Sequence, residues 1–148
     1  MIGDFKYIII PVVSVILTQI IKFTIESVIS KKLRWARLFN GNGGMPSSHT
    51  AFTFSLAFAI GIGEGFNSPL FAMNLIFACI VGYDAMGLRM ESGLQAQAIN
   101  LLTEEMIEDN PKLGVKRLQE QLGHKPLEVI MGILLGGVVA TIMMLLIG

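Results

Sequence analysis

Charge is what this chain has least of. Only 15% of its 148 residues are Asp, Glu, Lys or Arg, against about 25% in an ordinary soluble domain. Apolar residues make up 53%. That deficit excludes a conventional water-facing surface and predicts a protein that dissolves in lipid. The formal net charge is zero and there is no basic tract, so nothing argues for a nucleic-acid partner. The single cysteine, Cys79, lies inside an apolar run; it excludes an internal disulfide and reads as a small packing hydrophobe. The N-terminus is not expected to be a cleaved leader. The apolar N-terminus has no Lys/Arg-led start and no small-residue cleavage site, so it is expected to be a retained first membrane helix.

What is there is helix. The length allows one domain, residues 1–148, embedded in the membrane. About 20 apolar residues are needed for a span, and four segments qualify. The first runs from Phe5 to Ile29 and carries Gln19, Lys22 and Glu26. The second, Thr50 to Gly63, is short and spans only if its polar start from Pro46 is helical; Gly61 and Gly63 are expected to lead into a turn. The third is Pro69 to Leu88, ending in Tyr83 and Asp84, and the fourth is Leu127 to Ile147. Between spans three and four, residues 89–125 hold five basic and six acidic side chains. There, Leu94, Ala98, Leu101, Leu102 and Met106 are spaced for an amphipathic helix, ended by Asn110-Pro111, with a shorter helix expected over KLGVKRLQEQLG. The expected class is therefore all-α: a multi-pass cell-membrane protein with four transmembrane helices plus amphipathic helices.

Charge also orients it. The connection from Ser30 to Ser48 holds Lys31, Lys32, Arg34 and Arg37 and no acid. Excess Lys/Arg marks cytoplasmic loops, and Trp35 beside them suits an interface. The first and third connections should face the cytoplasm, with both termini outside. On that topology Lys22, His49, Tyr83, Asp84, Arg89, His124 and Glu128 all fall at the inner ends of their spans. Ionisable groups within spans are costly and mark sites by default.

Two stretches carry the chemistry. In GGMPSSHTA, Gly43 to Ala51, Pro46 is expected in the first helical turn, ahead of backbone N–H groups that form an anion site. Gly43 and Gly44 let the chain approach a ligand, Ser47 and Ser48 add hydroxyls, and His49 titrates near neutrality. In LGHKPLEV, Pro126 marks a second helix start, with His124 just before it. Glu128 stands four residues on, placed to fix an imidazole's tautomer and orientation. The plain alternatives remain open: Ser caps and an interfacial histidine in the first stretch, a carboxylate at a helix N-terminus in the second.

PSSHTA, YDAMGLR and LGHKPLEVIMGILLG resemble the divergent branch of the type-2 phosphatidic acid phosphatase and vanadium haloperoxidase superfamily, from about Gln19 to Gly137. The resemblance implies His49 as general acid, His124 as the nucleophile that forms a phosphohistidine, and Glu128 as its orienting carboxylate. It implies no metal and no cofactor, the phosphoryl charge being met by Lys, Arg and backbone N–H groups. The superfamily's K-x6-R-P motif is not found: Lys31 and Arg37 are one residue too close, and Leu38 follows. PSSH stands for PSGH, Glu128 for Asp, and Leu118 where SR would precede His124. Arg89 and Lys22 are candidates for the missing cations, with Asp84, supported by Tyr83, holding one of them. Their bland rivals are an interfacial anchor for Arg89 and pairing with Glu26 for Lys22.

The resemblance implies an integral membrane phosphatase that hydrolyses a lipid phosphate monoester or pyrophosphate at the cytoplasmic face. Phosphate would be bound by Lys22, Gly44, Ser47, Ser48 and Arg89. The partners expected are the lipid phosphate substrate, the bilayer and, because relatives usually have six helices, a second copy in a homodimer. The alternative is a non-catalytic anionic-lipid binding or transport-associated protein that keeps the phosphate cradle. A vanadate-dependent peroxidase is a weaker rival, since such relatives are usually soluble.

Overall fold

The structure is a computed structural model describing residues 5–31, 44–109, 116–118, 120, 123 and 125–147, with Leu88, Arg89, Glu108 and Asp109 described by backbone alone. Among the described residues five helices follow in order: α1 Lys6–Ser30, α2 Ser48–Glu64, α3 Pro69–Met86, α4 Leu88–Asp109 and α5 Pro126–Ile147. No strand occurs among the described residues. The expected basic connection, from Lys32 through Trp35 and Arg37 to Gly43, lies outside the described residues. So does His124.

Hydrophobic runs make these helices, and small residues decide how they meet. Helices in lipid gain nothing from hiding leucine from leucine, so association rests on close backbone approach. α5 supplies it with Gly132 and Gly136, one turn apart. A Cβ on Gly132 would stand 2.7 Å from the Ser47 carbonyl oxygen and 3.0 Å from Thr50 Cβ. One on Gly136 would stand 2.7 Å from the Ala51 carbonyl oxygen and 3.0 Å from the Ser55 nitrogen. On the other side of α2, Ser14 of α1 donates to that same Ala51 carbonyl at 3.2 Å. Ala51 is thus clasped between α1 and α5, and α2 is the most buried helix of the bundle.

Contacts along the helices set their directions. Tyr7 at the start of α1 donates to Glu64 Oε1 at the end of α2, at 2.7 Å, so α1 and α2 are antiparallel. Ser47 at the start of α2 donates its N–H to the Glu128 carbonyl in the first turn of α5, at 2.9 Å; these two run parallel. Gly82, late in α3, faces Val129, early in α5. The far end holds the cluster of Ile10, Ala59, Ala140 and Met144. The near end gathers the polar groups.

Among the described residues, three helical runs are long and apolar enough to cross a membrane: α1, the run begun by α3, and α5. α2, expected as the second of four spans, has 17 residues, about 26 Å of helix against roughly 30 Å of hydrocarbon. Large side chains such as Val28, Ile76, Leu145 and Leu146 point outward, as a lipid-facing surface demands. The chain is a multi-pass membrane protein.

Several boundaries differ from the sequence pattern. Gly61 and Gly63 are inside α2 rather than in the turn, because Phe66 and Phe71 pack over Gly61 and Tyr7 and Met144 over Gly63. The turn begins at Gly65, whose φ of 96° suits glycine. α3 ends at Met86, two residues early. Gly87 donates back to the Tyr83 carbonyl at 2.8 Å, and α4 starts at once.

α4 reverses the expected amphipathic face. Leu94, Leu101, Leu102 and Met106 are exposed, whereas Ala96 and Asn100 are buried. The reason is the Asn100 amide, which donates to the Leu118 carbonyl at 2.9 Å and accepts the Leu118 N–H at 2.8 Å. It thereby takes the backbone groups that a helix at 118 would use, and residues 116–118, 120 and 123 are not helical. Asn100 also donates to Glu120, at 2.9 Å. That bond first, then Arg117, holds the Glu120 carboxyl below the usual glutamate range.

The glycine packing gives a direct expectation. Gly136→Ala should force α2 and α5 apart and destabilise the protein by about 1–3 kcal/mol, the usual cost of overpacking. Gly137→Ala, whose Cβ would meet only the Phe58 ring at 3.3 Å, should cost far less. Thermal unfolding of the two variants in one detergent checks the difference.

Candidate functional site

α1 and α3 flank α2 without packing on each other. The gap between them is a cavity of about 740 Å³. Its walls are largely apolar, from Val15, Phe52, Phe77, Ile80 and Val81, and its polar groups are Gln19, Ser48, His49, Thr53, Tyr83 and Asp84. The few polar groups in an apolar chamber are what a ligand site requires.

Each polar group arrives from a helix end. Ser47 is the N-cap of α2 and accepts the Thr50 N–H at 3.4 Å and the Thr50 hydroxyl at 2.9 Å. Ser48 and His49 then occupy the first turn, whose N–H groups precede any i−4 carbonyl. The positive end of α2 therefore adjoins the cavity that Ser48 and His49 line. His49 is half-buried, and its carbonyl accepts the Thr53 hydroxyl at 3.0 Å. From the opposite wall, the last turn of α3 presents Asp84, while Tyr83 is 74% exposed at the rim. One chamber therefore holds an imidazole, a carboxylate and a helix N-terminus.

Other expected residues sit elsewhere. Pro46 is not in the first helical turn: it precedes the Ser47 cap, on a cis Met45–Pro46 bond. The Ser47 hydroxyl is wholly buried, spent on the cap, and absent from the cavity wall. Gly44 takes φ 87°, a backbone position that suits glycine. Lys22 lies one turn beyond Gln19 on α1 and is buried, at 5% exposure. Arg89 is in the first turn of α4, its side chain outside the description.

Glu128 lies in the first turn of α5 and accepts the Lys125 N–H at 3.2 Å. That is the reciprocal half of a capping box. Pro126 does open α5, as expected. Of the neighbours of His124, Gly123 packs against the Met90 backbone, where a Cβ would come within 2.7 Å. Gln19 stands out as the wall residue that motif reasoning passed over. Its signal was a carboxamide inside an apolar run.

Helices of this length and apolarity, enclosing a chamber with polar groups at one end, define a multi-pass helical membrane protein. The chain belongs to the divergent PAP2 family, whose model matches residues 4–139. It is 40% identical to "Uncharacterized membrane protein YuiD" of Bacillus subtilis (strain 168), across 83% of this chain and 84% of that protein. No solved structure gives a significant match.

The two serines should separate cleanly. Ser47→Ala removes a helix cap and should cost about 0.5–2 kcal/mol of stability. Ser48→Ala breaks no bond within the protein and should leave the melting temperature nearly unchanged. Thermal melts of both purified variants test this.

Proposed function

We propose that the protein is a membrane lipid phosphatase, acting on a phosphate monoester or pyrophosphate of a lipid through a phosphohistidine intermediate. The observation that carries this is the chamber itself: His49 and Asp84 line one largely apolar cavity between α1 and α3, in a chain of the divergent PAP2 family. A lipid brings its head group to the polar end and its chain to the apolar walls. A soluble phosphate would gain nothing from walls of Phe52, Phe77 and Ile80.

The His124 imidazole attacks phosphorus while the bond to the lipid oxygen breaks, and His49 gives that oxygen a proton. Water then attacks the phosphohistidine and releases phosphate, with His49 taking the proton back. Glu128 orients His124; its hydrogen bond from Lys125 fixes one carboxylate oxygen, and a carboxylate has acceptor capacity to spare. Ser48, Gly44 and the α2 N-terminus meet the phosphoryl oxygens, and Lys22 and Arg89 supply positive charge. Ser47 acts by shaping that turn. α2 also crosses the membrane, as the second of four spans, and the polar end faces the cytoplasm.

The capping bond of Glu128 also suits a protein that binds anionic lipids without turning them over. Activity separates the two. His124→Ala should abolish hydrolysis and any trapped phosphoenzyme. His49→Ala should lower turnover of an alkyl phosphate by about 10² to 10⁴-fold, and far less for p-nitrophenyl phosphate, whose leaving group needs little protonation. Orthovanadate should inhibit as a mimic of the transferring phosphoryl group, and EDTA should not. Near-normal hydrolysis by His124→Ala would defeat the assignment. Orientation has its own check: in a Cys79→Ser background, an impermeant thiol reagent should label Glu64→Cys but not Lys32→Cys in intact cells.

A further inference from the structure

Most buried hydroxyls among the described residues of this bundle have a partner. Ser14, Thr18, Thr50, Thr53 and Ser55 each donate to an oxygen within the protein. That is the rule where no water competes, because an unmatched polar group in lipid is costly. Ser27 Oγ on α1 breaks the rule, and so do polar atoms of residues that line the cavity. Gln19 Oε1 on α1 and Ser48 Oγ on α2 are buried and have no hydrogen-bond partner, and Ser48 is only 7% exposed. They belong to neighbouring helices that share one chamber. Their chemistry is complementary: a carbonyl oxygen only accepts, and a hydroxyl can donate.

Resting on the head-group site described above, we propose that Gln19 and Ser48 together select an anionic phosphate that carries an O–H donor. Ser48 donates to a charged phosphoryl oxygen, and Gln19 accepts from the ligand's O–H. A ligand O–H satisfies the buried Oε1 acceptor and a bare phosphoryl oxygen does not, so Gln19 sets specificity while His49 and His124 perform the transfer. The donor has two sources: the P–OH of a singly protonated monoester, or a hydroxyl on the head group.

The test is binding, not turnover. The purified full chain in nanodiscs is titrated calorimetrically at about pH 5.5, below the second phosphate pKa of about 6. The probes are dodecyl phosphate, dodecyl methyl phosphate and lysophosphatidylglycerol. The first has a P–OH, the second has the same charge and no donor, and the third has hydroxyls but no P–OH. Dodecyl phosphate or lysophosphatidylglycerol should bind about tenfold tighter than the methyl ester, the worth of one buried hydrogen bond. The tighter of the two identifies the donor. Gln19→Leu, or the closer-shaped Gln19→Met, should shrink that ratio to about twofold or less, whereas Ser48→Ala should weaken all three probes together. Equal affinities in the unsubstituted protein, no binding of any probe, or an unchanged ratio without Gln19 would overturn the proposal. A protein that binds selectively yet hydrolyses nothing upholds it and defeats the phosphatase instead.

Discussion

The rest of the molecule hangs on the approach of α5 to α2. Gly132 and Gly136 bring the α5 backbone against the carbonyls of Ser47 and Ala51, a distance no side chain would allow. In water, such a contact would be a minor part of a hydrophobic core. In lipid it is the main source of association, because dispersion and hydrogen bonds between close backbones are what remain once burial of apolar surface counts for nothing. The bond from the Ser47 N–H to the Glu128 carbonyl locks the register at one end. The starts of α2 and α5 are thereby fixed side by side.

That registration has a consequence for the polar end. Ser47 is consumed by structure: its N–H holds α5 and its hydroxyl caps α2. The next residues, Ser48 and His49, are turned to the opposite side and enter the chamber. Glu128 likewise gives its carbonyl to α2 and one carboxylate oxygen to Lys125. Structural and chemical duties are divided between adjacent residues of one motif, which is why the second serine of PSSH matters more to the cavity than the first.

The chamber exists because α1 and α3 both lean on α2 and not on each other. α3 buries only Ala78, Gly82 and Ala85, small residues that bring its last turn near the starts of α2 and α5. Farther from that turn the two outer helices present Val15, Phe77 and Ile80 across open space. Such a gap in a soluble protein would fill with water or collapse. Between transmembrane helices it is bordered by lipid, so an apolar chain can occupy it at little cost.

The apolar runs were legible from composition, and so were the helix starts at Pro69 and Pro126, because span length and proline chemistry are local properties of the chain. The gathering of Ser48, His49, Asp84 and Glu128 at one end was legible too, since alternating helices and charge bias place their termini. The boundaries at Gly61, Gly63 and Met86 were not, because glycine inside a helix looks like a turn until the ring or backbone that needs its space is known. Nor was Asn100: a polar residue on an amphipathic pattern reads as solvated, and only the return of residue 118 to its amide puts it inside. Gln19 shows the same limit, for sequence placed a carboxamide in lipid but not beside a chamber. The sequence by itself determined which segments leave water and at which end their polar residues lie. Only the tertiary structure decided which of those residues brace the helices and which face the cavity, because that depends on one turn of helix rotation, set by the glycines of α5.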